Sequence, residues 1–265
     1  MNSSEMFRLD GQIAVVTGGG QGLGKAMAIA LAEAGADIVI AEIIPDRAED
    51  VVDEIRRIGR KASVIETDVS DVQSVENMTH KAISEFSQID ILVNNVGVVY
   101  KSQVNDGDTS IPMEEVNPDN WKHVLKINIT GTFNCSQSVG RCMIQRKTGK
   151  IINIASMSGV IANWGRFNNA YCTSKGAVIM FTKELATEWA DKGIRVNAIA
   201  PGYMVTEGAK ALKDPKVREH IEIMTPLRRL GVPDDLKGLA IFLASDASAF
   251  ITGQTIVIDG GYTLW

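Results

Sequence analysis

The sequence is short of the features that mark several large protein classes. None of its apolar runs reaches the roughly 18 residues that a membrane-spanning helix needs. Met1-Asn2-Ser3-Ser4-Glu5 has neither the basic start nor the apolar stretch of a secretory signal. Cysteine is scarce: Cys135, Cys142 and Cys172 are odd in number and lack redox or metal spacing, which excludes a disulfide framework and suits a reducing, cytoplasmic setting. The three histidines, His80, His123 and His220, are scattered, so a catalytic zinc is not expected and no metal site is predicted. Basic residues number 27 against 32 acidic ones, a formal net charge of -5, which argues against a nucleic-acid footprint. Linker, low-complexity tract and tandem repeat are all lacking, and one domain over residues 1–265 is the economical reading.

What is present is apolar sequence, 45% of the chain, ample for a sizeable core. Short apolar runs alternate with helical patterns. The expected strands are Gln12–Val16, Asp37–Ala41, Ala62–Glu66, Asp90–Val93, Lys150–Ile154, Ile194–Ile199 and Gln254–Ile258. The expected helices are Gly22–Ala34, Asp46–Ile58, Asp71–Phe86, Pro118–Arg146, Asn169–Ala190 and Pro233–Ser245. Apolar strands alternating with helices predict an α/β fold with a parallel sheet buried on both faces. A glycine turn after the first strand points to a doubly wound Rossmann sheet. Three irregular stretches follow strands: Gly97–Asn117, Ser156–Asn169 and Pro201–Pro226. Ligands of such sheets lie beyond the carboxyl ends of the strands, so all three are candidate pocket walls.

Val15-Val16-Thr17-Gly18-Gly19-Gly20-Gln21-Gly22-Leu23-Gly24 reads as a strand, a glycine turn and a helix start. Such a turn lets backbone N–H groups approach a pyrophosphate, aided by the helix dipole. A glycine cluster can also be a tight turn alone; its place directly after an apolar strand favours the cradle. Glu42 closes the second strand. A carboxylate there accepts from adenosine ribose hydroxyls and repels a 2′-phosphate, so NAD is the expected cofactor. The alternative is an ordinary surface acid. Arg47 is the nearest cation, in the helix that follows.

Tyr171-Cys172-Thr173-Ser174-Lys175 puts a phenol and an ammonium at i and i+4 on one helical face. Free tyrosine titrates near 10, and a nearby cation is expected to lower it, making Tyr171 a base in oxidation and an acid in reduction. Ser156 closes a strand, where its hydroxyl can bind the alcohol or carbonyl oxygen. Alone, Tyr and Lys at this spacing describe many solvated helix faces.

Gly18, Gly22, Gly24, Asp68, Asn94-Asn95-Val96-Gly97, Asn128, Ser156, Tyr171, Lys175 and Pro201-Gly202 with Thr206 occur in this order. Together, from roughly Phe7 to Trp265, they resemble the classical short-chain dehydrogenase/reductase family. The resemblance implies catalytic roles for Asn128, Ser156, Tyr171 and Lys175. It implies cofactor contacts from Gln21 and Leu23 in the glycine turn, from Asp68 and Val69 at the adenine, and from Asn95 and Gly97 on the adenosine side. Lys175 would bind the nicotinamide ribose, and Pro201, Gly202, Met204 and Thr206 would cover the nicotinamide. Asn128 would hold the main chain so that a water links Lys175 to a proton relay. The family uses no catalytic metal and is usually a homotetramer. Val96 departs from its more frequent alanine, and the stretch from Ser156 to Tyr171 is longer than in many members, resembling those that act on sugar alcohols and ketoses.

Ser158, Asn163, Trp164, Arg166 and Asn168 lie in that stretch. Ser156, Ser158, Asn163, Trp164 and Tyr171 are the candidate substrate residues: hydroxyl-binding groups plus one indole suit a polyhydroxylated ligand. A wet surface loop is the other reading. Lys210, Lys213, Lys216 and Arg218 either bind an anionic sugar or form a solvated helix face. The leading expectation is an NAD-dependent dehydrogenase of a polyol, ketose or sugar acid, with the substrate loop at about 201–226. The alternatives are a 3-oxoacyl-thioester reductase, a dehydrogenase of a hydrophobic secondary alcohol, and a non-catalytic nucleotide-sensing protein on the same fold.

Overall fold

The computed structural model describes residues 2–99, 111–163 and 167–265. Seven strands form one all-parallel sheet: β1 (Ile13–Thr17), β2 (Asp37–Glu42), β3 (Ala62–Glu66), β4 (Ile91–Asn94), β5 (Gly149–Ile154), β6 (Ile194–Pro201) and β7 (Thr255–Ile258). Their order is β3-β2-β1-β4-β5-β6-β7. The strands are apolar on both faces because both faces are covered. Ala14, Val16, Ile38 and Ile40 point into one layer, with Met27 and Leu31 of α1 (Gly22–Glu33), Val52 and Ile55 of α2 (Glu49–Arg57) and Leu243 of α8 (Lys237–Ala244). Their neighbours Val15 and Val39 point the other way. There they meet Met78 of α3 (Val72–Phe86), Val139 and Met143 of α5 (Gly131–Arg146), and Leu185 and Trp189 of α6 (Asn169–Trp189).

The strand positions match expectation to within about two residues at each end. Two helical expectations need correction. The stretch predicted as one helix from Pro118 to Arg146 is α4 (Pro118–Leu125) joined to α5 through a π-turn, Lys126–Thr130. The stretch predicted as irregular from Pro201 to Pro226 contains α7 (Pro215–Met224). Asp214 caps α7 by accepting from the Lys216 N–H at 2.9 Å, and Pro215 opens it. The excursion that carries α7 closes on itself: Met204 pairs with Gly231, the Val205 N–H donates to the Gly231 carbonyl at 2.8 Å, and the Gly231 N–H to the Tyr203 carbonyl at 2.9 Å. Among the described residues, no helix is long and apolar enough to cross a membrane.

Sheet order reverses between β1 and β4, since the chain runs outward through β2 and β3 and then returns to the centre. A crevice beyond the carboxyl ends of the strands opens at such a switch point.

Candidate active site

That crevice holds a cavity of about 1070 Å³. Its floor begins at the glycine turn. Gly18 and Gly22 have φ of +63° and +55°, the left-handed region that favours glycine. Gly24 lies beneath the turn, away from the lining: a Cβ there would stand 2.2 Å from the Gly18 carbonyl oxygen. The turn therefore closes only with glycine. Gln21 precedes α1 without a side-chain cap, so the first N–H groups of the helix are left for a ligand. Gly18, Gln21, Gly22 and Leu23 all line the cavity. This cradle fits the pyrophosphate of a dinucleotide.

Glu42 is buried, 6% exposed, rather than an ordinary surface acid. Its Oε1 accepts from the Ile43 N–H at 3.1 Å and its Oε2 from the Gly20 N–H at 3.4 Å. The exposed Arg47 lines the same end of the cavity. Asp68 and Val69 lie beside it; the Asp68 carboxylate accepts from the Ser70 N–H at 2.8 Å, and Asn134 holds the Val69 carbonyl at 2.9 Å. Asn95 ties the turn to β4, donating to the carbonyls of Thr17 and Gly18 at 3.0 and 3.1 Å. Thr17 returns the contact, its hydroxyl accepting from the N–H groups of Asn95 and Val96. Val96 packs within 3.1 Å of where a Gly18 Cβ would be, so the departure from alanine is accommodated by a glycine.

At the far end stand Ser156, Tyr171 and Lys175, brought together by the end of β5 and the first turns of α6. Gly159 permits this approach, since a Cβ there would lie 2.6 Å from the Lys175 backbone. Lys175 is buried, donates to the Ile154 carbonyl at 2.7 Å, and has its Nζ 5.7 Å from the Tyr171 ring centre. Burial pushes its ammonium down to about 8. The expected acidification of Tyr171 by Lys175 is not what the protein alone produces. Burial raises the phenol above its usual 10, and a hydrogen bond with Ser156 opposes that rise. Lys175 instead turns its ammonium to the Ile154 carbonyl.

Asn128 lies behind the cavity wall, fully buried. The π-turn aims it at β4's extension: Oδ1 accepts from the Val98 N–H at 2.8 Å, and Nδ2 donates to the Val98 carbonyl at 2.9 Å and the Ser174 hydroxyl at 3.0 Å. Both Lys175 Nζ and Asn128 Oδ1 flank Gly97, where a Cβ would be 3.1 and 3.7 Å away. Ser158 and Asn163 line the cavity and bond each other, Asn163 Nδ2 donating to Ser158 Oγ at 2.9 Å. Trp164 and Arg166 lie outside the described residues. Lys213, Lys216 and Arg218 are exposed and outside the cavity lining, with Arg218 paired to Glu222: a solvated face. Pro201, Gly202, Met204 and Thr206 form the roof.

The sequence reading missed several lining or supporting groups. Tyr203 and Glu207 line the cavity, and Asn134 and Gly159 position others. Asn168, named in the stretch already singled out, also lines the cavity. Gly159 lies in that stretch, which was the available signal. Asn134 had none, because only the fold brings it to Val69. Among the described residues, no group of three His, Cys, Asp or Glu side chains could hold a metal ion.

The model of a family described as enoyl-(acyl carrier protein) reductase matches residues 18–263. The 2-dehydro-3-deoxy-D-gluconate 5-dehydrogenase of Dickeya dadantii (strain 3937) is 40% identical over 258 residues, 97% of each chain. The galactitol 2-dehydrogenase (L-tagatose-forming) of Cereibacter sphaeroides is 38% identical over 269 residues, covering 100% of both. The crystal structure of a gluconate 5-dehydrogenase from Burkholderia cenocepacia J2315, in complex with NADP and tartrate, superposes with a TM-score of 0.92 at 39% identity over 100% of each chain.

Proposed function

The chain belongs to the short-chain dehydrogenase/reductase family, oxidoreductases of alcohol groups that use a nicotinamide cofactor, and from that premise we propose that it moves a hydride between NAD and a polyol, ketose or sugar acid. The observation that carries this reading is one cavity lined at one end by a glycine cradle with a buried carboxylate, and at the other by Ser156, Tyr171 and Lys175. The named relatives act on sugar acids and a hexitol, which supports a hydroxyl-rich substrate.

Gly18, Gln21, Gly22 and Leu23 would hold the pyrophosphate, with Gly24 closing the turn from beneath, away from the ligand; Glu42 would hold the adenosine ribose, and Asp68, Val69, Asn95 and Gly97 the adenine side. Pro201, Gly202, Met204 and Thr206 would close over the nicotinamide. When bound, the nicotinamide supplies the hydride acceptor or donor. The Ser156 hydroxyl orients the substrate oxygen. Tyr171 takes the hydroxyl proton in oxidation and returns it in reduction. Lys175 and Asn128, flanking Gly97, pass that proton by a water toward solvent. Ser158, Asn163 and Trp164 are the residues assigned to the remaining substrate hydroxyls.

Because burial raises Tyr171, the phenol is protonated at neutral pH, ready to donate; its base form grows as pH climbs. Oxidation is therefore expected to rise on the alkaline side. NAD is favoured over NADP because the buried Glu42 carboxylate would repel a 2′-phosphate, although Arg47 is close. We further assign one catalytic domain to residues 1–265, with 201–226 covering the substrate, and a homotetramer in the cytoplasm. Exposed apolar side chains support assembly: Phe133 of α5, Met180 of α6, Phe250, Leu264 and Trp265.

The test is NADH or NADPH formation at about pH 9–10 with hexitols, pentitols, tetritols, aldonates and simple secondary alcohols, each with NAD and NADP, and, in reverse, NADH or NADPH consumption with 3-oxoacyl thioesters. NAD-linked turnover of a polyol or aldonate is expected. Turnover confined to acyl thioesters or hydrophobic alcohols would overturn the substrate assignment. Tyr171→Phe is expected to abolish turnover and leave NADH binding intact; loss of both would remove the assigned role.

A further inference from the structure

The segment that roofs the cavity is anchored by the chain's last turn. It leaves β6 at Pro201 and returns through Thr225 and Pro226. At the outgoing root, the Gly202 N–H donates to the Ile258 carbonyl at 3.0 Å, and a Cβ on Gly202 would lie 2.6 Å from that of Asp259. At the returning root, the Leu227 N–H donates to the Gly260 carbonyl at 3.1 Å. Gly260 and Gly261 have φ of +66° and +90°, and side chains there would press on Thr225 and Pro226 at 2.7 and 2.8 Å. Asp259 holds the turn in shape, its carboxylate accepting from the N–H groups of Gly261 and Thr263, each at 2.8 Å. The turn then lays the Tyr262 ring edge-on against Tyr203, with centroids 5.2 Å apart at 74°. Tyr203 lines the cavity.

We propose that the terminal turn from Asp259 to Tyr262 is part of the active-site architecture, with Tyr262 a positioning residue that acts through Tyr203 to hold the roof over bound cofactor and alcohol. The assignment rests on the dehydrogenase reading above. The outgoing root rests on Ile258 and Asp259 and the returning root on Gly260 and Gly261, consecutive residues of one bend, so the turn sets where the roof begins and ends. It touches none of Ser156, Tyr171 or Lys175 in the contacts described, so its influence falls on retention of ligands and not on hydride transfer. An aromatic pair of this geometry corresponds to roughly three- to tenfold in an equilibrium.

The experiment compares full-length wild type with Tyr262→Ala, Tyr262→Leu and Tyr262→Phe. NADH binding and release are followed by its fluorescence, hydride transfer by single-turnover absorbance, and folding by thermal melting. In Tyr262→Ala and Tyr262→Leu, NADH release is expected to quicken and KM to rise roughly three- to tenfold, with the single-turnover rate unchanged. Tyr262→Phe, which keeps the ring, restores wild-type values. Tyr262→Leu keeps apolar volume, so its result stands if Tyr262→Ala folds poorly. Unchanged release and KM with a lowered melting point would reduce the turn to a structural role and overturn the proposal. So would Tyr262→Phe behaving like Tyr262→Ala. NADH release is read without any alcohol, so the proposal survives or fails separately from the choice of polyol substrate. A wild type that binds no NADH would instead remove the dehydrogenase reading itself.

Discussion

Glu42 is a charged side chain at a strand end with two backbone N–H partners and lone pairs to spare. Hydrogen bonds to charged groups contribute about 1.5–3 kcal/mol, which is roughly ten- to hundredfold in affinity. Glu42→Ala combined with Ile43→Lys is therefore expected to shift the kcat/KM ratio toward NADP by at least about tenfold. Measuring both cofactors at fixed alcohol checks it; an unmoved ratio would mean that the ribose lies elsewhere. Lys175 carries a second prediction. Its folded value of about 8 lies below the ordinary 10.5, so between those values the unfolded chain holds more protons than the folded one. Stability without cofactor then rises with pH from 8 to 10.5, and below 8 the whole penalty is present. That fall corresponds to on the order of 3 kcal/mol, partly offset by the bond to Ile154. Lys175→Met is thus expected to be inactive yet more stable than wild type at pH 7, the difference shrinking toward pH 10.5 in urea melts. The i, i+4 spacing of Tyr171 and Lys175 was readable in the sequence. The electrostatic outcome was not, because desolvation depends on how β5 and α6 bury the pair.

Among the elements, the π-turn from Lys126 to Thr130 decides where Asn128 points. One extra residue per turn rotates the side chain off the ordinary helical face and into the wall behind Gly97. Asn128→Ala deletes three hydrogen bonds and leaves the Val98 backbone groups and Ser174 short of a partner. Bonds of this kind contribute about 1 kcal/mol each, so a loss on the order of 2–4 kcal/mol is expected in urea unfolding, with kcat lowered as the proton path loosens. Helical periodicity located both flanks of the turn, Asn117-Pro118 marking the start, but a single-turn π insertion leaves no periodic trace. α7 is a different case. Its basic positions are legible as a solvated helix face and Asp214-Pro215 is a start signal, but Val217, Ile221 and Met224 form an apolar stripe too short to set its bounds within a stretch that otherwise reads as irregular.

For the whole molecule, the alternation of apolar strands and helices was legible because parallel strands covered on both faces must be apolar throughout. The strand order was not, since nothing local to β1 and β4 states that they pair. The cavity at that pairing couples ligand to fold. A cofactor that binds only the folded chain at a hundredfold its Kd adds about 2.7 kcal/mol, which for a chain of this size raises Tm by roughly 5 °C. Thermal melts with NAD or NADH are expected to show that rise, and no rise with either would contradict the cradle.

The stem formed where Tyr203, Met204 and Val205 meet Gly231 has one more consequence. It closes the roof's excursion at its base, so the largely exposed stretch between Thr206 and Thr225 is a cassette. Doubling the length of such an insert costs only about 0.6 kcal/mol in closure entropy, and the sheet does not register what the cassette contains. A lineage built on this scaffold can change the alcohol it accepts by rewriting the exposed positions between Thr206, which faces the cavity, and Thr225, which meets the terminal turn, without moving the glycine turn or the end of the cavity that holds Ser156, Tyr171 and Lys175.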